Sequence, residues 1–148
     1  MNDAASHPDL SITVIDDDPE LLTLITMLLR RIGATTDAFL DAHDALYHLQ
    51  THTPHLIILD LMMPGVDGLE VLQRIRRISR LDRVPILILS ARVDKAAIHC
   101  ALASGADGYI TKPYIANSLI DRVQTLLSAG RTPVAQIASR PQRSESSQ

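Results

Sequence analysis

Ile12-Thr13-Val14-Ile15-Asp16-Asp17-Asp18 and Leu56-Ile57-Ile58-Leu59-Asp60 are two unbroken apolar runs that each end in carboxylates. Continuous rather than alternating hydrophobicity is the pattern of a parallel strand covered on both faces. Two further runs repeat it: Pro85-Ile86-Leu87-Ile88-Leu89 stops at Ser90, and Gly108-Tyr109-Ile110-Thr111 stops at Lys112-Pro113. A fifth stretch, Ala34 to Phe39, is the least apolar and suits a sheet edge. Between the runs lie segments of helical period. Pro19 to Gly33 carries Leu21, Leu22, Ile25, Leu28 and Leu29 on one side, with Asp18 as N-cap and Pro19 at the first helical position. Leu69, Leu72, Ile75 and Ile78 recur at every third residue, and Ile115, Leu119, Val123 and Leu126 at intervals of three or four. The alternation predicts a (βα)5 chain of the α/β class. Strands are expected near residues 11–16, 34–39, 55–60, 84–90 and 106–111, and helices near 19–32, 42–51, 66–79, 94–104 and 114–128.

In an open parallel sheet, ligands bind beyond the carboxyl ends of the strands. Every polar residue that closes one of these runs falls there. Asp16, Asp17 and Asp60 bring like charges to one edge, where they raise one another's pKa values or destabilise the fold unless a cation compensates. Clusters of this kind mark metal or phosphate chemistry. Aspartate also punctuates strand ends with no function attached, and either run alone fits that reading as well. Four strands that together deliver these acids, the Ser90 hydroxyl and Lys112 favour a site. Lys112 could be a solvated surface lysine, but it is one of only two lysines among fourteen basic residues.

The order Asp16-Asp17, then Asp60 followed by Met63-Pro64-Gly65-Val66-Asp67-Gly68, then Ser90-Ala91, then Tyr109 and Lys112-Pro113, resembles the receiver domain of bacterial two-component response regulators, and in size the single-domain chemotaxis type. The match covers about residues 10 to 128, with serine where many relatives carry threonine. The resemblance implies a flavodoxin-like three-layer fold with a parallel five-stranded sheet of order 2-1-3-4-5. It implies that Asp60 is the nucleophile that becomes phosphorylated. Mg²⁺ is the implied cofactor, held by Asp17, Asp60 and the backbone carbonyl of Met62, with Asp16 acting through a water. The Ser90 hydroxyl, the Ala91 backbone amide and Lys112 would contact the phosphoryl group, and the Lys112-Pro113 bond would be cis. Ser90 and Tyr109 would act as a switch that alters the face formed by the fourth helix, fifth strand and fifth helix. Such a domain is no turnover enzyme and catalyses only its own phosphoryl transfer and dephosphorylation. Its implied partners are a histidine kinase or histidine phosphotransfer protein and an output protein. Related receivers that dimerise through that face often carry a second acid after Gly-Ala-Asp. Here Gly108 stands in its place, which leaves Asp107 as the charged contact and favours a hetero-partner.

Charge accounting is consistent with this chemistry. Three carboxylates are balanced only by a divalent ion together with Lys112, and an ion bridging phosphate and carboxylates stabilises the charge that spreads during phosphoryl transfer. Mg²⁺ keeps several waters, so two or three protein ligands suffice. In the order 2-1-3-4-5, Lys112 lies two strands from Asp60, about 9–10 Å, a gap for a long cationic side chain.

Other readings are weaker. A small Mg²⁺-dependent phosphohydrolase would use the same acids, but such enzymes commonly place a second acid two residues after the nucleophile for proton transfer. That position is Met62. A degenerate receiver kept as an interaction module should have lost an acid, the hydroxyl or the lysine, and none is missing. His48 and His52 have the spacing of a zinc pair, with His43 and His55 nearby, but no cysteine or definite carboxylate completes the set and a solvated helix face is expected. Arg74, Arg76, Arg77, Arg80 and Arg83 form a basic run placed to complement the dipole of the third helix. A net charge of -3 with only three tyrosines and one phenylalanine gives neither an electrostatic footprint nor a stacking platform, so no direct nucleic-acid binding is expected.

With 148 residues, 46% of them hydrophobic, the chain can bury a core without staples. Its lone Cys100 forms no internal disulfide and suits a reducing cytoplasm. Met1 to Asp9 is no signal peptide, and the apolar runs are too short for membrane insertion. Composition shifts after Leu127. The expected organisation is a flexible N-terminus at 1–9, a receiver domain at 10–128 and a flexible tail at 129–148. From Ser128 onward three arginines face Glu145, so this segment carries +2 and the rest of the chain -5.

Overall fold

Five parallel strands lie side by side in a computed structural model that describes residues 10–113 and 116–131. Expectations for residues 1–9, 114–115 and 132–148 lie outside the described residues. The strands are β1 (Ser11–Ile15), β2 (Thr35–Phe39), β3 (Leu56–Asp60), β4 (Ile86–Ser90) and β5 (Gly108–Thr111). They alternate with α1 (Pro19–Arg30), α2 (Ala42–Leu49), α3 (Gly68–Arg76), α4 (Lys95–Ala103) and α5 (Ala116–Ala129). The sheet order is β2-β1-β3-β4-β5. Every residue of β3 and β4 is buried, which accounts for their unbroken apolar sequence. β2, exposed along much of its length, is the edge.

Successive side chains of a strand point to opposite faces, and the two faces separate cleanly. Ile12, Val14, Leu56, Ile58, Leu87 and Leu89 pack with Ile25 and Leu29 of α1 and with Leu119 and Val123 of α5. Ile15, Ile57, Leu59, Ile86 and Ile88 pack with Leu49 of α2, Leu72 and Ile75 of α3 and Ala101 of α4. Asp18, Asp41, Asp67 and Asp94 each accept backbone N–H bonds as the N-caps of α1 to α4. These four acids have the punctuating role that the other acids at the sheet edge lack.

Several expected boundaries move for local reasons. α3 ends at Arg76 rather than 79, and Ile78 is extended (φ -84°, ψ 103°) ahead of a 3₁₀ turn over Ser79–Leu81. The buried stripe of α3 is therefore Gly68, Val71, Leu72 and Ile75, a 3.6-residue period rather than a strict third. β4 starts at Ile86 because Pro85 has no N–H for the ladder, although its carbonyl still accepts from Ile57. The fifth helix continues to Ala129, past the expected end at 128.

The basic run divides into separate structural roles instead of serving the α3 dipole alone. Arg74 pairs with Glu70 one turn away at the surface, whereas Arg80 reaches across to the carbonyls of Leu49, the last residue of α2, and of His52 just beyond it. His48 is not a solvated residue. Its ring stacks on His52 (centroids 4.0 Å, planes 11° apart), lies 5.0 Å from Phe39, and has Nε2 3.5 Å from Asp37.

Candidate functional site

Register builds the site. β1 and β3 pair Ile15 with Leu59, so Asp16 and Asp60 follow side by side at the carboxyl edge, and β4 and β5 pair Ser90 with Thr111, which puts Lys112 next. The Lys112 Nζ donates to Asp16 Oδ2 at 3.0 Å and to Asp60 Oδ2 at 3.2 Å. The opposite oxygens are held by backbone: Asp16 Oδ1 accepts from the Asp18 amide at 3.0 Å, and Asp60 Oδ1 from the Met62 amide at 2.9 Å. Both carboxylates are almost fully buried, while Asp17 beside them is exposed. One carboxylate oxygen from each of Asp16, Asp17 and Asp60 falls within 4.8 Å of the others.

Burial pushes the Asp16 carboxyl above its usual range and the charge of Asp60 adds to this, against the opposing hydrogen bonds from Lys112 and the Asp18 amide. For Lys112, burial works to lower the pKa. The hydrogen bonds and charges of Asp16 and Asp60 outweigh it, and the ammonium is held above the ordinary lysine value. A single lysine thus serves two buried acids with a third nearby, which leaves two negative charges for a divalent ion to balance. Three hard oxygen donors in this cluster have the chemistry of a Mg²⁺ site.

Ser90 is buried at the end of β4, and its Oγ accepts the Arg92 amide at 3.1 Å, which leaves the hydroxyl proton free to donate. Ala91 follows at the exposed start of the β4–α4 loop. The contact shown for Met62 is through its amide, and its side chain is half exposed. The Lys112-Pro113 bond is cis. Tyr109 stands apart from the acids. Its ring is half-buried against the core on the α2–α4 side, and its hydroxyl donates to the Arg92 carbonyl at 3.0 Å. Arg92 is a residue that sequence reasoning missed. It anchors Ser90 through its amide and Tyr109 through its carbonyl, and its guanidinium pairs with Asp94 at 2.9 Å. Only its position after Ser90-Ala91 could have drawn notice, since backbone contacts leave no trace in residue type.

Asp107 does not supply a surface contact. Its side chain is fully buried, accepts the Ile86 amide at 2.9 Å, and pairs with Arg76 and Arg131, each at 3.0 Å. It precedes β5 at the edge opposite the acid cluster, where it ties β5 to the start of β4.

The family described as the response regulator receiver domain matches residues 12–124. Over 129 residues the chain is 37% identical to the transcriptional regulatory protein AfsQ1 of Streptomyces coelicolor, covering 87% of this chain and 56% of that protein. It is also 37% identical over 129 residues to the DNA-binding response regulator MtrA of Mycolicibacterium smegmatis, covering 86% of this chain and 55% of that protein. The chain spans about half the length of the curated relatives it matches. Among solved structures, the receiver domain of the Francisella response regulator 1452 superposes with a TM-score of 0.72 at 33% identity, covering 80% of this chain and 96% of that one. The matched residues run from within β1 into α5 and contain every acid of the cluster, Ser90 and Lys112, so this chain belongs to the receiver domains of two-component response regulators.

Proposed function

We propose that Asp60 is the phosphoacceptor, receiving a phosphoryl group from the phosphohistidine of a histidine kinase or histidine phosphotransfer protein. The observation that carries this reading is Lys112, whose ammonium bridges the paired, buried Asp16 and Asp60 while Asp17 leaves the edge short of positive charge. An Asp60 carboxylate oxygen forms the new bond to phosphorus as the phosphorus–nitrogen bond to the donor histidine breaks, and the electron pair leaves with the imidazole. Asp17, Asp60 and the Met62 carbonyl, with Asp16 through a water, would hold Mg²⁺, which would supply charge stabilisation for the transferring group. Lys112 keeps Asp60 oriented beforehand and donates to a phosphoryl oxygen afterwards. The Ser90 hydroxyl, one strand away, donates to another, joined by the Ala91 amide.

Hydrolysis of the resulting acyl phosphate resets Asp60, so the domain acts on itself and turns over no separate substrate. The response travels through Ser90 and Tyr109 to α4, β5 and α5, the face for an output protein. We assign the receiver domain to residues 10–128, a span that contains the family match over 12–124. The DNA binding named for one relative is not assigned to these residues, which belong to the acidic part of the chain. Among the described residues no helix is long and apolar enough to cross a membrane, and a cytoplasmic setting is proposed with the kinase. Fluorine NMR with beryllofluoride, which stands in for the phosphoryl group, tests the site. A bound signal should require Mg²⁺ and vanish in Asp60→Asn, and a bound signal that survives that substitution overturns the assignment.

A further inference from the structure

The buried carboxylate of Asp107 has more positive charge around it than it needs. Arg76 spends its guanidinium on Asp107 and on the carbonyls of Gly105, Leu81 and Val84, all at 2.8–3.0 Å. Burial first, then the neighbouring Arg131, depress the Arg76 pKa to about 10, only partly opposed by Asp107 and Asp82. Arg131 therefore adds a second cation that repels the first. It lies just beyond α5, after Gly130, whose φ of +73° turns the chain back. Its Nε donates to Asp107 Oδ1 at 3.0 Å, Nη1 to the Asp82 carbonyl at 3.0 Å, and Nη2 to the Gly105 carbonyl at 3.3 Å. One side chain thus ties the end of α5 to the loop after the 3₁₀ turn, the α4–β5 loop and the start of β5.

We infer that Arg131 is a releasable latch, fastening the start of the segment beyond α5 to the edge of the domain remote from Asp60. The two arginines are not equivalent. Arg76 is 11% exposed and stitched into the core, whereas Arg131 is 19% exposed and follows the last helix. If Arg131 leaves, Asp107 keeps the Arg76 guanidinium and the Ile86 amide, so no buried charge is stranded, and the repulsion on Arg76 is relieved. If Arg76 left instead, core carbonyls would lose their donors. Closed, the latch makes the chain after residue 131 depart from a fixed point opposite the acid cluster. Open, it releases the Arg131 side chain while the sheet stays intact. The latch stands whether or not Asp60 is phosphorylated.

Trypsin reads the latch directly, because the protease must take the arginine side chain into its own pocket. Cleavage of the Arg131–Thr132 bond in the full chain should be about tenfold or more slower than in a synthetic peptide covering residues 126–137. Arg131→Lys replaces a three-armed fork by a single ammonium. Cleavage at that position should then approach the rate of the matching variant peptide, with the Arg76–Arg77 and Arg122–Val123 bonds still intact. Asp107→Asn, read the same way, should release the bond as well. Wild-type cleavage as fast as the peptide overturns the latch. So does release in Arg131→Lys only together with cleavage at Arg122, which would make the contact part of the global core.

Discussion

Lys112 stands between two buried carboxylates, and its loss should be felt before any phosphate arrives. Lys112→Ala leaves Asp16 and Asp60 side by side with side chains only 2% and 4% exposed. Removing one partner from such a group costs about 2–3 kcal/mol at a partly exposed lysine. Thermal denaturation in EDTA should show the variant destabilised by that amount, with much of the loss recovered in Mg²⁺, because the lysine is not a metal ligand. Equal stability of variant and wild type in EDTA would make Lys112 a surface residue. Asp16 gives a pH dependence of definite sign. Its folded pKa lies above the ordinary 3.8, so its protonated form favours the fold, and that contribution is lost as pH rises through the raised value. Mg²⁺ needs the ionised form. The gain in Tm from Mg²⁺ should therefore be small near about pH 4 and larger near about pH 7. A gain that did not change over this range would separate the metal from these carboxylates.

The strands were legible because burial on both faces leaves a one-dimensional trace, an unbroken apolar run ending where the sheet ends. Asp16, Asp60, Ser90 and Lys112 could be placed at one edge because each terminates such a run. Helix ends were less legible. Ile78 continues the apolar spacing of α3 but belongs to the turn beyond it, since periodicity records which face is buried and not which backbone bonds persist. α4 is distinct among the helices in that its buried residues are two alanines, Ala97 and Ala101, so little apolar area fixes it to the sheet. Elements held by few buried contacts open most readily. Hydrogen exchange with and without beryllofluoride should change most in α4 and the adjoining loop that carries Arg92, with β5 and α5 following. Protection changes confined to α1 and α2 would place the output face elsewhere.

Across the whole molecule the two ends of the sheet carry opposite arrangements. The carboxyl edge gathers acids around one lysine, and the other edge gathers two arginines around Asp107. The first was readable from the sequence, because its members close neighbouring strands. The second was not. Arg76, Asp107 and Arg131 come from a helix, a loop and the start of an expected tail, and nothing local marks them as partners. The acid cluster bears the functional claim, and incubation of the full chain with acetyl phosphate followed by intact-mass and peptide mapping examines it most directly. One phosphoryl group should appear on Asp60, only with Mg²⁺, and be absent from Asp60→Ala. A phosphoryl group that persists in Asp60→Ala, or that forms equally well in EDTA, would contradict the account.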